Sequence, residues 1–237
     1  EADTGVRVMD GDVLVRDSTI RSKGVGVEFI NSQTGELSVI GSLIHSKGDV
    51  FKASGTSTTA TINVQNSTLT AADGQPNFNN ISVATAYLGA QLSLNAGASK
   101  LHGELIAHTD GVLQATLSDG TTFHGRTSTF NNGTLDLALE SGSSWTISNN
   151  GSLTNLSAGR GTNITFGPGD YFNTLTVRNN FHADDALLIF NTVLGDDASR
   201  TDRLIIEGDA TGTARVQVNN AGGAGAPTSN GIELISV

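Results

Sequence analysis

Val13-Leu14-Val15-Arg16-Asp17-Ser18-Thr19-Ile20 returns as Leu37-Ser38-Val39-Ile40-Gly41-Ser42-Leu43-Ile44, and again as Ile62-Asn63-Val64-Gln65-Asn66-Ser67-Thr68-Leu69. The offsets are 24 and then 25 residues. Ser22-Lys23-Gly24 likewise returns as Ser46-Lys47-Gly48, and Val27 as Phe51. A repeat of this length is the mark of a solenoid, in which each unit buries its apolar face on its neighbour. Within a unit the apolar residues alternate: Val13 and Val15, then Ile20, then Val25, Val27 and Phe29. Alternation means strands with one buried face. Gly, Asn, Asp and Ser between the runs imply bends rather than hairpins. The expected fold is all-β: a right-handed, single-stranded parallel β-helix with three short strands per coil. A closed up-and-down barrel gives no reason for similarity at a fixed period.

Further along, the period blurs and the alternation persists. Leu92 and Leu94, Leu113 and Leu117, and Leu135, Leu137 and Leu139 recur at about 22 residues. Trp145 and Ile147, Leu153 and Leu156, Ile164 and Phe166, and Leu175 and Val177 continue the series. Roughly nine or ten coils at about 4.8 Å each predict a rod about 45–50 Å long.

Composition agrees. Charged residues make up 15 % of the 237-residue chain, against about 25 % in ordinary domains. Glycine is frequent, aromatics are few, and no long helical-period stretch occurs. The net charge of -10 argues against a general nucleic-acid binder. Cysteine is absent, so disulfides contribute nothing to the fold. No apolar run reaches the ~18 residues of a membrane span, and no signal peptide is read at Glu1.

The last third carries a more specific pattern. Thr201-Asp202-Arg203-Leu204-Ile205-Ile206-Glu207-Gly208-Asp209 leads to Asn219-Asn220-Ala221-Gly222-Gly223, then Gly231-Ile232-Glu233-Leu234-Ile235-Ser236-Val237. These blocks resemble the C-terminal end of autotransporter passenger domains of the pertactin and AIDA type. The specific resemblance covers about residues 172–237. Before that it is one of general style, including Ser144-Trp145-Thr146-Ile147 followed by Leu153-Thr154-Asn155-Leu156. It implies β-helix coils over 1–171, with the last coils and an autochaperone-like cap over 172–237. In that family the cap folds first and templates the rest. A solenoid also needs one to stop pairing at its open end. The resemblance places the chain at the bacterial cell surface or released from it. Its signal sequence and its partner, the C-terminal translocator barrel, are expected outside these residues.

Candidate chemistry is sparse. A β-helix lyase needs clustered carboxylates, often with calcium, and a basic proton acceptor. The acidic pairs Asp184-Asp185 and Asp196-Asp197 read as turn residues, with a calcium or catalytic role as the alternative. His124-Gly125 follows Phe123 and has no flanking acid cluster. The G-D-S-G-S block of the serine-protease autotransporters is absent, and Glu140-Ser141-Gly142-Ser143-Ser144 does not replace it. His45, His102, His108, His124 and His182 lack zinc-site spacing and read as surface or turn residues. Gly222-Gly223-Ala224-Gly225 is a loop and not a phosphate cradle. The N-x-S/T triplets at Asn66, Asn80, Asn132, Asn150, Asn155 and Asn163 read as coil corners. Trp145 reads as packing, with a carbohydrate platform as the alternative. No catalytic residue, cofactor or metal ligand is assigned, and the chain is read as a non-enzyme.

The repeat does bring some charges together. It stacks Arg21 under His45, Lys23 under Lys47 and Glu28 under Lys52. Arg21, Lys23, His45 and Lys47 then share one outer face as an anion-recognising strip for a sulfated or acidic glycan; the alternative is solvated lysines near a bend. Three functions follow. The first is an adhesin acting by self-association with passengers on other cells, or by binding a host glycan or protein, in aggregation, biofilm formation or attachment. The second is a stalk and folding nucleus for a recognition domain elsewhere. The third is a polysaccharide-degrading β-helix, with a phage tailspike as a related form.

Overall fold

The computed structural model describes residues 2–30, 34–71, 81–167 and 171–237. Among them there is no helix. All strand ladders are parallel, and the sheets stay open. The chain winds as a parallel β-helix with three faces.

The first face runs through Gly11–Arg16, Gly35–Ile40, Thr59–Gln65, Gln91–Gly97, Val112–Ser118, Thr134–Leu139 and Asn155–Ala158. It ends on the first parts of Phe181–Thr192 and Ala210–Asn220. The second face runs from the start of Thr19–Ile30 through Leu43–Ser46, Thr68–Ala71, Lys100–His102, Thr122–Gly125, Ser144–Ile147 and Asn163–Phe166. The third starts with Ala2–Val8 on the second half of Thr19–Ile30, then Phe51–Ser54, Ser82–Tyr87, Glu104–His108 and Thr127–Phe130. A separate sheet of Gly151–Leu153, Thr174–Val177, Arg203–Ile206 and Ile235–Ser236 follows.

The register of the first coils is that of the repeat: Val13 pairs with Leu37 and Leu37 with Ile62. Two features explain the repeated block. Asp17, Gly41 and Asn66 each adopt positive φ at the corner, a conformation that Gly, Asn and Asp enter at least cost. The serine after each joins a buried ladder. Ser42 Oγ accepts the Ser18 amide at 3.1 Å, Ser67 Oγ accepts Ser42 at 3.0 Å, and Ser99 Oγ accepts Ser67 at 3.0 Å. Thr121 Oγ1 takes the Ser99 amide at 3.2 Å. The corners therefore leave the backbone donors of Ser42, Ser67 and Ser99 satisfied although these residues are buried.

Inward residues stack one coil apart. Ile44, Leu69, Leu101, Phe123, Trp145, Ile164 and Leu188 form one column, and all are essentially inaccessible. Each such burial contributes about 1.5–3 kcal/mol. Phe123 and Trp145 stack at 5.7 Å with 17° between planes. The Trp145 indole donates to the Gly125 carbonyl at 2.9 Å, so Trp145 is core and not a ligand platform.

The three C-terminal blocks build one cap. Asp202, fully buried, accepts the amides of Asn173 and Asn191 at 2.7 Å each and the Asn191 side chain at 2.8 Å. Thr201 meets Thr192 hydroxyl to hydroxyl at 2.7 Å. Gly208 is required by close approach, since a Cβ there would stand 2.3 Å from the Asn179 carbonyl oxygen. Gly223 combines a φ of 91° with a Cβ position 2.1 Å from the Leu194 oxygen. In the last block Leu204 donates to Leu234 at 2.9 Å, and Ile235 pairs with Leu204. Leu234 and Ile235 pack on the core.

The acidic pairs behave differently from plain turns. Asp184 and Asp185 lie inside the continuous strand Phe181–Thr192, at a bulge where Asp185 has a φ of 54°. They pair with Arg160 at 3.3 Å and Arg215 at 3.0 Å. Asp196 does cap its own turn, accepting the Ala198 amide at 3.0 Å. Asp197 accepts amides of Ser229, Asn230 and Gly231 at 3.0–3.1 Å. Those bonds, Asn230 first, hold its carboxyl below the usual aspartate range. Among the described residues no cluster of three or more His, Asp or Glu is placed to hold a metal.

Candidate recognition surface

Recognition on a solenoid belongs to side chains that point outward from successive strands. On the second face the outward residues alternate with the inward column. In register, Arg21 faces His45, His45 faces Thr70, Thr70 faces His102, and His102 faces His124. Lys100 projects from the other outward position of the same strand as His102. Lys23 and Lys47 are exposed at the corner that closes this face. There the Lys47 amide donates to Ser22 at 3.1 Å, and Gly48 to Gly24 at 2.8 Å. Arg21 is exposed and His45 half-buried.

Arg21 and His45 are thus register neighbours on the second face, with Lys23 and Lys47 at its corner, and the stacking carries the column further than the repeat alone reached. Thr70 is a one-coil spacer, after which His102 and His124 extend the column. Five stacked positions span about 19 Å at the ladder spacing. Among the described residues, the second-face stretches, Thr19–Ser22 and the strands from Leu43–Ser46 to Asn163–Phe166, carry no Asp or Glu; Glu28 lies in the third-face half of Thr19–Ile30. On a chain of net charge -10 this is marked segregation of charge.

The His102 and His124 rings lie 6.1 Å apart, tilted by 39°. Partial burial, then His124, then Lys100 push the His102 pKa down. Cationic neighbours that depress one another's protonation relax when an anion lies across them. The signal for the longer column was the 22-residue spacing of His102 and His124. The link back to His45 was hidden by a coil of different length.

The first face has the opposite character. Asn63 donates to Glu36 at 2.8 Å, Asn95 to Asn63 at 2.9 Å, and Asn155 to Asp136 at 2.7 Å. A shallow groove of about 450 Å³ runs along it past Asn95, Gln114, Asp136, Asn155 and His182. Of the N-x-S/T asparagines, Asn66 and Asn132 take positive φ at corners, Asn155 and Asn163 start strands, and Asn80 lies outside the described residues.

Residues 148–237 match the family described as Autochaperone Domain Type 1. The match begins just before Gly151–Leu153, where the third face changes sheet. The chain is similar to Adhesin BmaC autotransporter of Brucella suis, 52 % identical over 66 residues, which is 28 % of this chain and 2 % of that protein. It is 33 % identical over 147 residues to Probable autotransporter YfaL of Escherichia coli, covering 61 % of this chain and 10 % of that protein. It is 38 % identical over 65 residues to Autotransporter adhesin AIDA-I of Escherichia coli, covering 27 % and 5 %. The chain therefore spans a tenth or less of the length of each of these relatives.

Proposed function

We propose that the chain is a segment of an autotransporter passenger, with residues 148–237 as its autochaperone domain, and that it is an adhesive, non-enzymatic rod that binds polyanionic glycans along its second face. Passengers of this kind stand on the outer side of the outer membrane or are released from it. The observation that carries the proposal is the acid-free column of Arg21, His45, His102 and His124, with Lys23, Lys47 and Lys100 beside it. A sulfated or carboxylated glycan laid along the rod meets one basic group at nearly every coil. Counterion release then supplies the affinity. Two of the similar proteins, BmaC and AIDA-I, are named as adhesins, which supports attachment as the role. The acidic, amide-rich first face is a second surface for contact with passengers on other cells. The translocator barrel is the remaining partner.

A quadruple variant, Lys23→Ala, Lys47→Ala, His102→Ala and His124→Ala, tests the reading on heparin. The expected result is elution at clearly lower salt with unchanged circular dichroism. Unchanged elution refutes it. A second reading, a stalk that carries recognition elsewhere, draws on the small share of each relative that this chain covers. Cells displaying the chain without aggregating or adhering favour the stalk. Depolymerisation of an acidic polysaccharide favours an enzyme.

A further inference from the structure

On the third face a different set of side chains lines up. Ser54 pairs with Tyr87, Tyr87 with His108, and His108 with Phe130, all facing outward. The Tyr87 and His108 rings are 5.3 Å apart at 62°, and His108 and Phe130 are 5.5 Å apart at 46°. Phe130 is 42 % exposed, and Tyr87 and His108 are half-buried. The neighbouring outward column, Lys52, Thr85, Ile106 and Ser128, lies lower: Thr85, Ile106 and Ser128 are buried although they point away from the core. It is the floor of a groove of about 300 Å³. Asp49 stands in the groove beyond Lys52 and accepts the Ser82 hydroxyl at 2.8 Å and that of Thr85 at 3.3 Å. Lys52 Nζ lies 6.0 Å from the centre of the Tyr87 ring.

We infer that this groove is a saccharide-binding subsite in which the CH face of a neutral pyranose stacks on the Tyr87–His108–Phe130 column while its hydroxyls bond Asp49 and Lys52. The inference deepens the adhesive reading and rests on it, but it uses a different face and a different chemistry from the basic column. Its size is at the lower end of small-molecule sites, and its lining sets the aromatic faces of Tyr87 and Phe130 and the aliphatic Ile106 against Asp49, Lys52, Thr85 and His108.

Other occupants fit less well. Phe51–Ser54, Ser82–Tyr87 and Glu104–His108 are hydrogen-bonded on both edges, and the far edge of Thr127–Phe130 is covered by Gly151–Leu153, where the Thr129 amide donates to Ser152 Oγ at 3.3 Å, so an extended peptide finds little free backbone to pair with. A purely apolar ligand would strip water from Asp49 and Lys52 without replacing it, at a cost. Burial raises the Asp49 carboxyl above the usual aspartate range, which suits a neutral hydroxyl better than a cationic group. A sugar ring, apolar on its faces and polar at its edge, matches both walls. Because the groove follows the rod axis across successive coils, it takes a linear oligosaccharide lengthwise.

The test is titration calorimetry and NMR on the whole chain with four neutral probes: cellohexaose, maltohexaose, laminarihexaose and chitohexaose. At least one is expected to bind and to shift Tyr87 and His108 resonances. The double variant Tyr87→Ala/Phe130→Ala is expected to weaken that probe tenfold or more. Tyr87→Phe/Phe130→Tyr keeps the stack and is expected to retain binding within threefold, which separates loss of the groove from loss of fold. Heparin elution is expected to be unchanged in both. No binding by any probe, or equal binding by the alanine variant, overturns the inference while leaving the polyanion reading intact. Binding of phosphatidylcholine vesicles instead of all four probes overturns it as well. If heparin binding fails but a hexaose binds at this groove, the polyanion reading falls and this subsite stands.

Discussion

Replacing Asp202 by Ala tests whether the cap is held by one buried carboxylate. Asp202 is inaccessible to solvent and accepts three N–H donors. Removing it strands the backbone amides of Asn173 and Asn191. The Asn191 side chain keeps the carbonyls of Phe166 and Gly167 at 3.0 and 3.1 Å, so it counts little. Each orphaned buried amide costs about 1–3 kcal/mol. Burial of the carboxylate itself carries a desolvation cost that the variant escapes. The expected net loss is about 3 kcal/mol for Asp202→Ala, and roughly half that for Asp202→Asn, which keeps one acceptor oxygen. Asp209, exposed in the same sequence block, is the control; Asp209→Ala is expected to change stability by at most about 0.5 kcal/mol. The assay is urea unfolding followed by far-UV circular dichroism and by fluorescence of the single tryptophan, Trp145. A loss below about 1 kcal/mol for Asp202→Ala, or an equal loss for Asp209→Ala, would show that the cap is held by something else.

Three further expectations can be measured. Ser67→Ala removes the acceptor of the buried Ser42 amide and is expected to cost about 1–2 kcal/mol in the same urea experiment. Heparin affinity is expected to rise as pH falls from about 7.5 to 5.5: His102 starts from a depressed pKa, so protons arrive late, and a bound polyanion favours the charged form. His102→Asn/His124→Asn should flatten that profile and reduce its salt dependence, as salt-gradient elution at each pH would reveal. The Asp197 carboxyl has a depressed folded pKa, so its contribution is present above the usual aspartate range and fades as pH falls through the folded value. Hydrogen exchange at Ser229, Asn230 and Gly231 is then expected to speed up in acid before the coils respond, and Asp197→Asn to exchange fast already at neutral pH.

Gly208, Gly223 and Asp202 of the C-terminal blocks were legible as part of a resemblance, and the fold gives these three a physical role. Gly208 lets two backbones approach, while Asp197 and Asp202 collect amides. Spacing alone did not separate those acids from Asp184 and Asp185, which sit at a strand bulge against arginines. A carboxylate that gathers N–H groups from distant strands looks the same in sequence as one in a solvated bend.

Alternation of apolar residues and the block repeated at 13, 37 and 62 were sufficient to establish stacked parallel coils, because each repeat places the same residue types in the same local surroundings: left-handed corner, buried serine, inward aliphatic. Which outward residues meet was decided only in three dimensions. His45 reaches Thr70 after 25 residues, Thr70 reaches His102 after 32, and His102 reaches His124 after 22. On the third face Ser54 reaches Tyr87 after 33 residues, whereas Tyr87 to His108 and His108 to Phe130 take 21 and 22. The length of chain between one strand and its neighbour a coil away depends on the loops at the corners, which tolerate insertion at little cost. Register is fixed instead by backbone hydrogen bonds between coils and by the packing of the inward column, and neither leaves a mark on the outward side chains that it brings together.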